Sequence, residues 1–430
     1  MRVENTILLL IFLLSSIYVY TQTPDERVGD LLNRADYIEL NRQYPSLKDS
    51  IHPMLKGLSE AVLSSSLNRP ERALDDINRL LEYHQQEIGF MNVQAMFLKK
   101  CMVQAEMGNY SQAANDLQYF MNEVSEHMDS TMLKSYKETY AVYDKMRSVP
   151  PPALERPIAD CEIPIEIDSL SVGGQLIYVP VTINGSPERF IFDTGCPGGA
   201  FISEEYASKL NLRTVADSVM VNGVGRGIGK IALIDSLRVG NMVYKNSTAV
   251  VVPPNPAVDS VFKVDLVLGS GIMKASGEVR IFPQEKKLVF PISQTPLPPT
   301  GNNMIFLSNH PYIEAYSNTE RLIMHFDTGN AGAGLHYKYY EKHKEMIDKE
   351  GKKESKLSGG FGAVIMKDIY RLPVFPLKVG AREFELKNLE VNLNPVFVGQ
   401  GNEDGSLGMA FIMLFDKVVI NFDKMFLEVE

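Results

Sequence analysis

Between residues 25 and 147 apolar side chains recur every three to four positions, the spacing of helices that bury one face. Ala73, Leu74, Ile77, Leu80 and Leu81 make one such stripe, and Asn68 with Glu71, Pro70 lying in the first turn, marks its start. Gly108-Asn109-Tyr110 opens another helix, with Ala113, Leu117, Phe120, Met121 and Val124 on its apolar face. Cys101 shares a stripe with Phe97, Leu98 and Ala105 and reads as core. Beyond residue 160 the period becomes two. Tyr178-Val179-Pro180-Val181-Thr182-Ile183, then Asn184-Gly185, then Arg189-Phe190-Ile191-Phe192 reads as strand, hairpin turn, strand. Pro150-Pro151-Pro152 sits at the change, inside a segment, 148–160, expected to be a stiff linker. A second proline-rich spacer, 291–299, separates two strand-rich stretches, 161–292 and 300–430. The pattern predicts a multi-domain chain: N-terminal all-α helical hairpins at 25–147, then an all-β region in two parts.

Each β part contains the phrase Phe-Asp-Thr-Gly at the end of an apolar run. One is Phe192-Asp193-Thr194-Gly195 and the other Phe326-Asp327-Thr328-Gly329. About 0.1 copies of Asp-Thr-Gly are expected in a chain of 430 residues of average composition. Two copies in matching contexts mark an internal repeat at domain scale. The repeat extends further: Leu266-Val267-Leu268-Gly269 follows the first motif, and Leu407-Gly408-Met409-Ala410-Phe411 the second. Each part ends in a hairpin-like tail, Val279-Arg280-Ile281-Phe282 with Leu288-Val289-Phe290, and Val418-Val419-Ile420-Asn421-Phe422 with Phe426-Leu427-Glu428-Val429. Two carboxylates brought face to face share one proton, so that one acts as base while the other acts as acid. The bland alternative for Asp193 and Asp327 is a turn carboxylate that caps its own backbone.

An Asp-Thr-Gly loop followed by a hydrophobic-hydrophobic-Gly strand, present twice, resembles the aspartic protease superfamily, in particular bacterial retropepsin-like proteins, across residues 165–430. The resemblance implies a bilobal fold of two pseudo-symmetric half-barrels. It implies an endopeptidase in which Asp193 and Asp327, one from each lobe, activate a water with no metal or cofactor. Thr194 and Thr328 are then expected to hydrogen-bond across the interface, while Gly195 and Gly329 leave room for the loops to approach. The glycine-rich stretch with Gly223, Gly225 and Gly227 resembles a retropepsin flap, and 358–362 occupies the corresponding place in the second half. Gly227-Ile228-Gly229-Lys230-Ile231-Ala232 formally matches a dinucleotide fingerprint, but a strand-like rather than helical segment follows it. A plain hairpin turn is the alternative to a flap. Residues 203–212 and 337–349 are expected as a short helix after each motif. Residues 105–120 resemble the inter-helix turn and second helix of a tetratricopeptide repeat, so the helical region is either a surface for a protein partner or a packing accessory.

Two positions depart from the family pattern. Cys196 and Asn330 follow the two motifs, where active members usually carry Ser, Thr or Ala. A thiol donates poorly to a carboxylate; the Asn330 amide is able to donate, and the alternative is that its larger side chain alters the loop. The dyad is therefore expected to be asymmetric, with a milder pH optimum than pepsin. A catalytically silent peptide-binding or scaffold protein of the same fold is the alternative function.

The remaining features narrow the setting. A net charge of −10 argues against nucleic-acid binding, which needs a basic face. Arg2 followed by an apolar stretch at 7–14 reads as an export signal spanning 1–22. That implies a periplasmic or extracellular protein of the bacterial cell envelope, not integral to the membrane after cleavage. Three cysteines leave at least one unpaired within the chain, and a Cys161–Cys196 bridge stays open. As a nucleophile Cys196 would need a His partner, which its local sequence lacks.

Overall fold

The computed structural model describes residues 22–170, 173–223, 225–260, 264–360, 362–395 and 403–430. The expected export signal, apart from residue 22, lies outside them. Six helices come first: α1 (Pro24–Asn33), α2 (Tyr37–Leu47), α3 (Pro53–Ser66), α4 (Pro70–Glu106), α5 (Tyr110–Val124) and α6 (Ser130–Lys145). Their apolar stripes are buried as the periodicity requires, with Ala73, Ile77 and Leu80 fully enclosed on α4. Cys101 packs with Phe97, Ala105, Leu117 and Phe120 in one cluster. Among the described residues no helix is long and apolar enough to cross a membrane.

One helix start differs from expectation. Asn68 does not cap α4; the capping position is Arg69, and no side chain caps it. Asn68 instead adopts a left-handed backbone (φ 53°) and its amide donates to the Phe422 carbonyl at 3.0 Å. A bond to the distant β region has replaced the local cap.

The β region forms three sheets among the described residues. A nine-stranded sheet carries the first motif and an eight-stranded sheet the second. The two repeat the same core arrangement. Ser186–Phe192 pairs antiparallel with Gln175–Ile183 and parallel with Leu266–Leu268. In the second half Glu320–Phe326 pairs antiparallel with His310–Ser317 and parallel with Gly405–Leu407. The first hairpin turns through Asn184 and Gly185, both at positive φ, the geometry a tight two-residue hairpin needs. The short helices after the motifs are Glu204–Lys209 and Tyr337–Glu350.

The tails do not close the two halves separately. Glu278–Phe282 pairs edge to edge with Val418–Asn421, so both tail hairpins and Cys161–Pro164 make a single five-stranded sheet. Joining them removes two open edges. At the seam the Asn421 amide donates to the fully buried Glu278 carboxylate at 2.6 Å.

The proline-rich segment expected as a linker is laid against the first half. Ala153–Glu155 adds a strand beside Val243, Tyr244 and Lys245, and the Arg156 guanidinium donates to the carbonyls of Ser276, Phe290 and Pro291. Helices α1 to α3 share one hydrophobic core with the β region, including Val28, Leu31, Leu40 and Leu67. Charged groups reinforce that contact: Arg321 donates to both oxygens of Asp36 (2.6 and 2.9 Å), and Arg42 to Glu314 (2.7 Å). At the other end of the helical region Met146 and Val149 pack with Ala216 and Leu233, and Lys145 pairs with Asp217.

Candidate active site

The motif strands place the aspartates by alternation. Phe192 and Phe326 are fully buried in the hydrophobic core that the two halves share. The next residue therefore faces the other way, where the two halves meet. Each loop then hangs from the same support: the Asp193 N–H donates to the Leu268 carbonyl (3.1 Å) and the Asp327 N–H to the Leu407 carbonyl (2.9 Å). Gly269 and Gly408 lie beneath the loops, where a Cβ would collide with the carbonyls of Gly198 and Asn330.

The structure brings Asp193, Thr194, Gly195, Asp327, Thr328 and Gly329 together. The Thr194 N–H donates to Thr328 Oγ1 (2.9 Å), and the Thr328 N–H donates to Thr194 Oγ1 (3.0 Å). Each hydroxyl in turn donates to the opposite strand, Thr194 to the Phe326 carbonyl (3.0 Å) and Thr328 to the Phe192 carbonyl (2.6 Å). Both threonines are fully buried, so four neutral hydrogen bonds shielded from water tie the loops together. The glycines permit the approach. A Cβ on Gly195 would stand 2.5 Å from Asp327 Cγ, and one on Gly329 would overlap Asp193 Cγ.

The carboxyls lie within hydrogen-bonding reach of each other. Asp193 Oδ1 accepts from the N–H groups of Gly195 (2.8 Å) and Cys196 (3.1 Å). Asp327 Oδ1 accepts from Gly329 (2.9 Å), while the Asn330 N–H donates to the Asp327 carbonyl (3.1 Å). Burial, and then the charge of Asp327, push the Asp193 carboxyl well above the usual range, against those two N–H donors. The pair therefore keeps one proton under conditions where isolated carboxyls have lost theirs.

The dyad is asymmetric, and Asn330 does not donate to it. The Asn330 amide reaches Ser406 Oγ (3.2 Å), and its oxygen accepts from the Gly332 N–H (3.0 Å), so the side chain braces its own loop. The Cys196 thiol donates to the Pro197 carbonyl rather than to Asp193. Burial and both aspartate charges push that thiol far up, which keeps it neutral and removes the thiolate a nucleophile needs. Cys161 and Cys196 are both free.

The glycine-rich stretches form the tips of two long hairpins. Arg213–Asn222 pairs with Arg226–Val239, and Lys352–Gly360 with Ala363–Val379. Gly223 and Gly225 are in the first tip, where the Gly223 N–H donates to the Gly225 carbonyl (2.8 Å). Gly227 is already paired with Val221 in the strand. The tips meet, for a Cβ on Gly225 would come within 2.7 Å of the Gly362 backbone.

Sequence reasoning missed two histidines beside Asp327, His310 and His325, and the groups linked to them, Tyr312, His336 and Glu403. The available signal was alternation, which puts His325 on the Asp327 face of its strand. Burial pushes the imidazoles of His310 and His325 below their ordinary value, and Asp327 pulls both back up. Burial raises the Glu403 carboxyl, but His336 and other partners override it and hold it low.

Residues 179–271, the first half and its motif, match the family model described as aspartyl protease. No curated protein matches the chain. Among solved structures the chain is similar to a retropepsin-like aspartic protease from Rickettsia conorii, at 17% identity and a TM-score of 0.21. The match covers 32% of this chain and 91% of that one.

Proposed function

We propose that the chain is an aspartic endopeptidase with one active site shared between its two halves. The observation that supports this best is the reciprocal threonine lattice, which holds Asp193 and Asp327 side by side. A turn carboxylate that only capped its own backbone would need no such opposite loop. In the reaction an ionised carboxylate takes a proton from a water lying between the pair, and that water attacks the scissile carbonyl. The partner carboxyl donates its proton to the carbonyl oxygen. As the tetrahedral intermediate collapses, the protonated carboxyl gives its proton to the leaving amine while the other carboxylate takes the proton of a gem-diol hydroxyl as the carbonyl re-forms, which returns the dyad to one proton. The loops act by holding both carboxyls in place before substrate arrives. The abutting tips at Gly225 and Gly362 fit a pair of flaps that part to admit a peptide and close over it.

The finer readings belong to the same proposal. Each β half corresponds to one half-barrel of that superfamily, with boundaries at 161–292 and 300–430. The N-terminal apolar stretch directs export, and the helical region offers a tetratricopeptide-like surface to a protein partner. The deciding experiment measures cleavage of a mixed peptide library between pH 3 and 7 by the wild type, Asp193→Asn and Asp327→Asn. Each variant is expected to lose at least about 10³-fold in kcat/KM, as removal of a catalytic group does. A wild type that cuts nothing while still binding peptides points to the silent scaffold. Full activity in either variant sinks the proposal.

A further inference from the structure

The two aspartates have unlike flanks. Two residues before each one, on the same strand face, stand Ile191 and His325. Each faces a tyrosine across the strand pair, Tyr178 for Ile191 and Tyr312 for His325. Two residues before those tyrosines lie Leu176 and His310. At matching positions the first half therefore has leucine and isoleucine, and the second has two histidines.

The histidines form a unit. Their rings meet edge to face with centroids 5.4 Å apart, and Tyr312 lies 5.3 Å from His325. His310 also lies against the Gly195 backbone, so it touches the opposite loop as well as its own half. The enclosed Nδ1 of His310 and Nε2 of His325 have no hydrogen-bond partner among the described residues. The charged and titratable groups that face the pair are Asp327, Glu403 and His336, the last with Nδ1 3.5 Å from Glu403. Among the described residues no three such groups are arranged to hold a metal ion.

Enclosing two ring nitrogens without partners costs free energy, and leucine and isoleucine fill the equivalent space in the first half without that cost. A charge beside a carboxylate gives the imidazoles a use. Burial keeps both neutral near pH 7, and the anionic field of Asp327 favours their protonation as the medium acidifies. We propose that His310 and His325 are positioning residues for the second aspartate: on acidification they gather positive charge beside Asp327 and not beside Asp193. The single negative charge of the dyad then settles on Asp327, which becomes the base, and the proton settles on Asp193, which becomes the acid.

This inference rests on the aspartic protease reading, so its test has one arm that needs cleavage and one that does not. The first arm is the pH profile of kcat/KM for His310→Gln, His325→Gln and the double variant. Glutamine retains polarity and much of the volume but takes no charge. The acid limb is expected to rise by on the order of 1 pH unit per substitution, the effect of a charge at this range. Ile191→Val and Leu176→Val are expected to leave the limb in place. A lowered kcat with an unmoved limb means a merely structural role and overturns the proposal. The second arm follows the imidazole C–H resonances by NMR in the wild type and in Asp327→Asn. Loss of the anion is expected to lower the midpoints of His310 and His325 by on the order of 1 unit. Unchanged midpoints overturn the proposal, whether or not the protein cleaves anything, and this arm decides the matter if the glutamine variants do not fold. A protein that cuts nothing yet shows the shifted midpoints loses the protease reading and keeps the electrostatic coupling.

Discussion

Set against each other, the two β halves agree at the backbone and diverge in side chains. The motif strands, their parallel partners and the threonine bonds correspond residue for residue. Around that frame Cys196 stands opposite Asn330, Ile191 opposite His325, and Leu176 opposite His310. Backbone positioning needs only a small residue, a hydroxyl and a strand end, so both halves meet it with the same tripeptide. Electrostatics depends on the side chains around the carboxylate, and there the halves are free to differ. A dyad benefits from both conditions, since equal placement brings the carboxyls together and unequal surroundings decide which one keeps the proton.

The sharpest way to break the comparison is at its floor. Gly195→Ala and Gly329→Ala each drive a methyl group into the opposite carboxylate. Both are expected to lower kcat/KM by on the order of 10²-fold or more, since a displacement near 1 Å costs that much. A harmless substitution in one half would show that the halves are not equivalent there. Next come Thr194→Val and Thr328→Val, which leave a buried N–H and C=O of the opposite loop unpaired. Each is expected to cost about 1–3 kcal/mol in chemical denaturation, by similar amounts.

An effect of comparable size separates the halves from outside. Helices α1 to α3 lean on the second half through Arg321, whose loss in Arg321→Met would leave Asp36 and Glu314 short of a partner. The expected cost is about 1–3 kcal/mol, below that of a fully buried pair because Arg321 keeps some solvent contact. The pH dependence follows from the same contact. Burial raises the Asp36 carboxyl, but Arg321 overrides it and holds the carboxyl below its ordinary value. A folded value below the unfolded one contributes stability above the ordinary carboxylate range, and that contribution is lost as pH falls through the lowered value. Protection factors of amides in α1 and α2, taken relative to intrinsic exchange at each pH, are expected to be lower at pH 3 than at pH 6, and Arg321→Met to abolish most of the difference. The exposed Lys145–Asp217 pair, which faces the first half, is expected to leave the melting temperature unmoved in Lys145→Ala.

Much of this was legible because it is local. A period of 3.6 or two reports which face of an element is buried, and that sufficed for the helices, the motif hairpin and the outward aspartates. The repeated Phe-Asp-Thr-Gly identified both halves of the site. What failed was choice of partner. Asn68 looks like a cap in sequence but donates to Phe422, and Asn330 looks like a donor to the dyad but holds Ser406. Polar side chains with several local options take whichever partner the packed chain brings near.

The sequence by itself determined the order of the elements, the repeat, and the two carboxylates with the glycines and threonines that let them meet. Only the tertiary structure decided that the two tails share one sheet, that the proline-rich segment docks, and that α1 to α3 bury their apolar faces in the β region's core. It alone set His310 beside His325 and Asp327. Hydrophobic periodicity encodes how much of each residue is covered and on which side. It carries nothing about what does the covering, because burial of apolar surface is non-directional. That choice is made by strand pairing and hydrogen bonds between residues far apart in the chain.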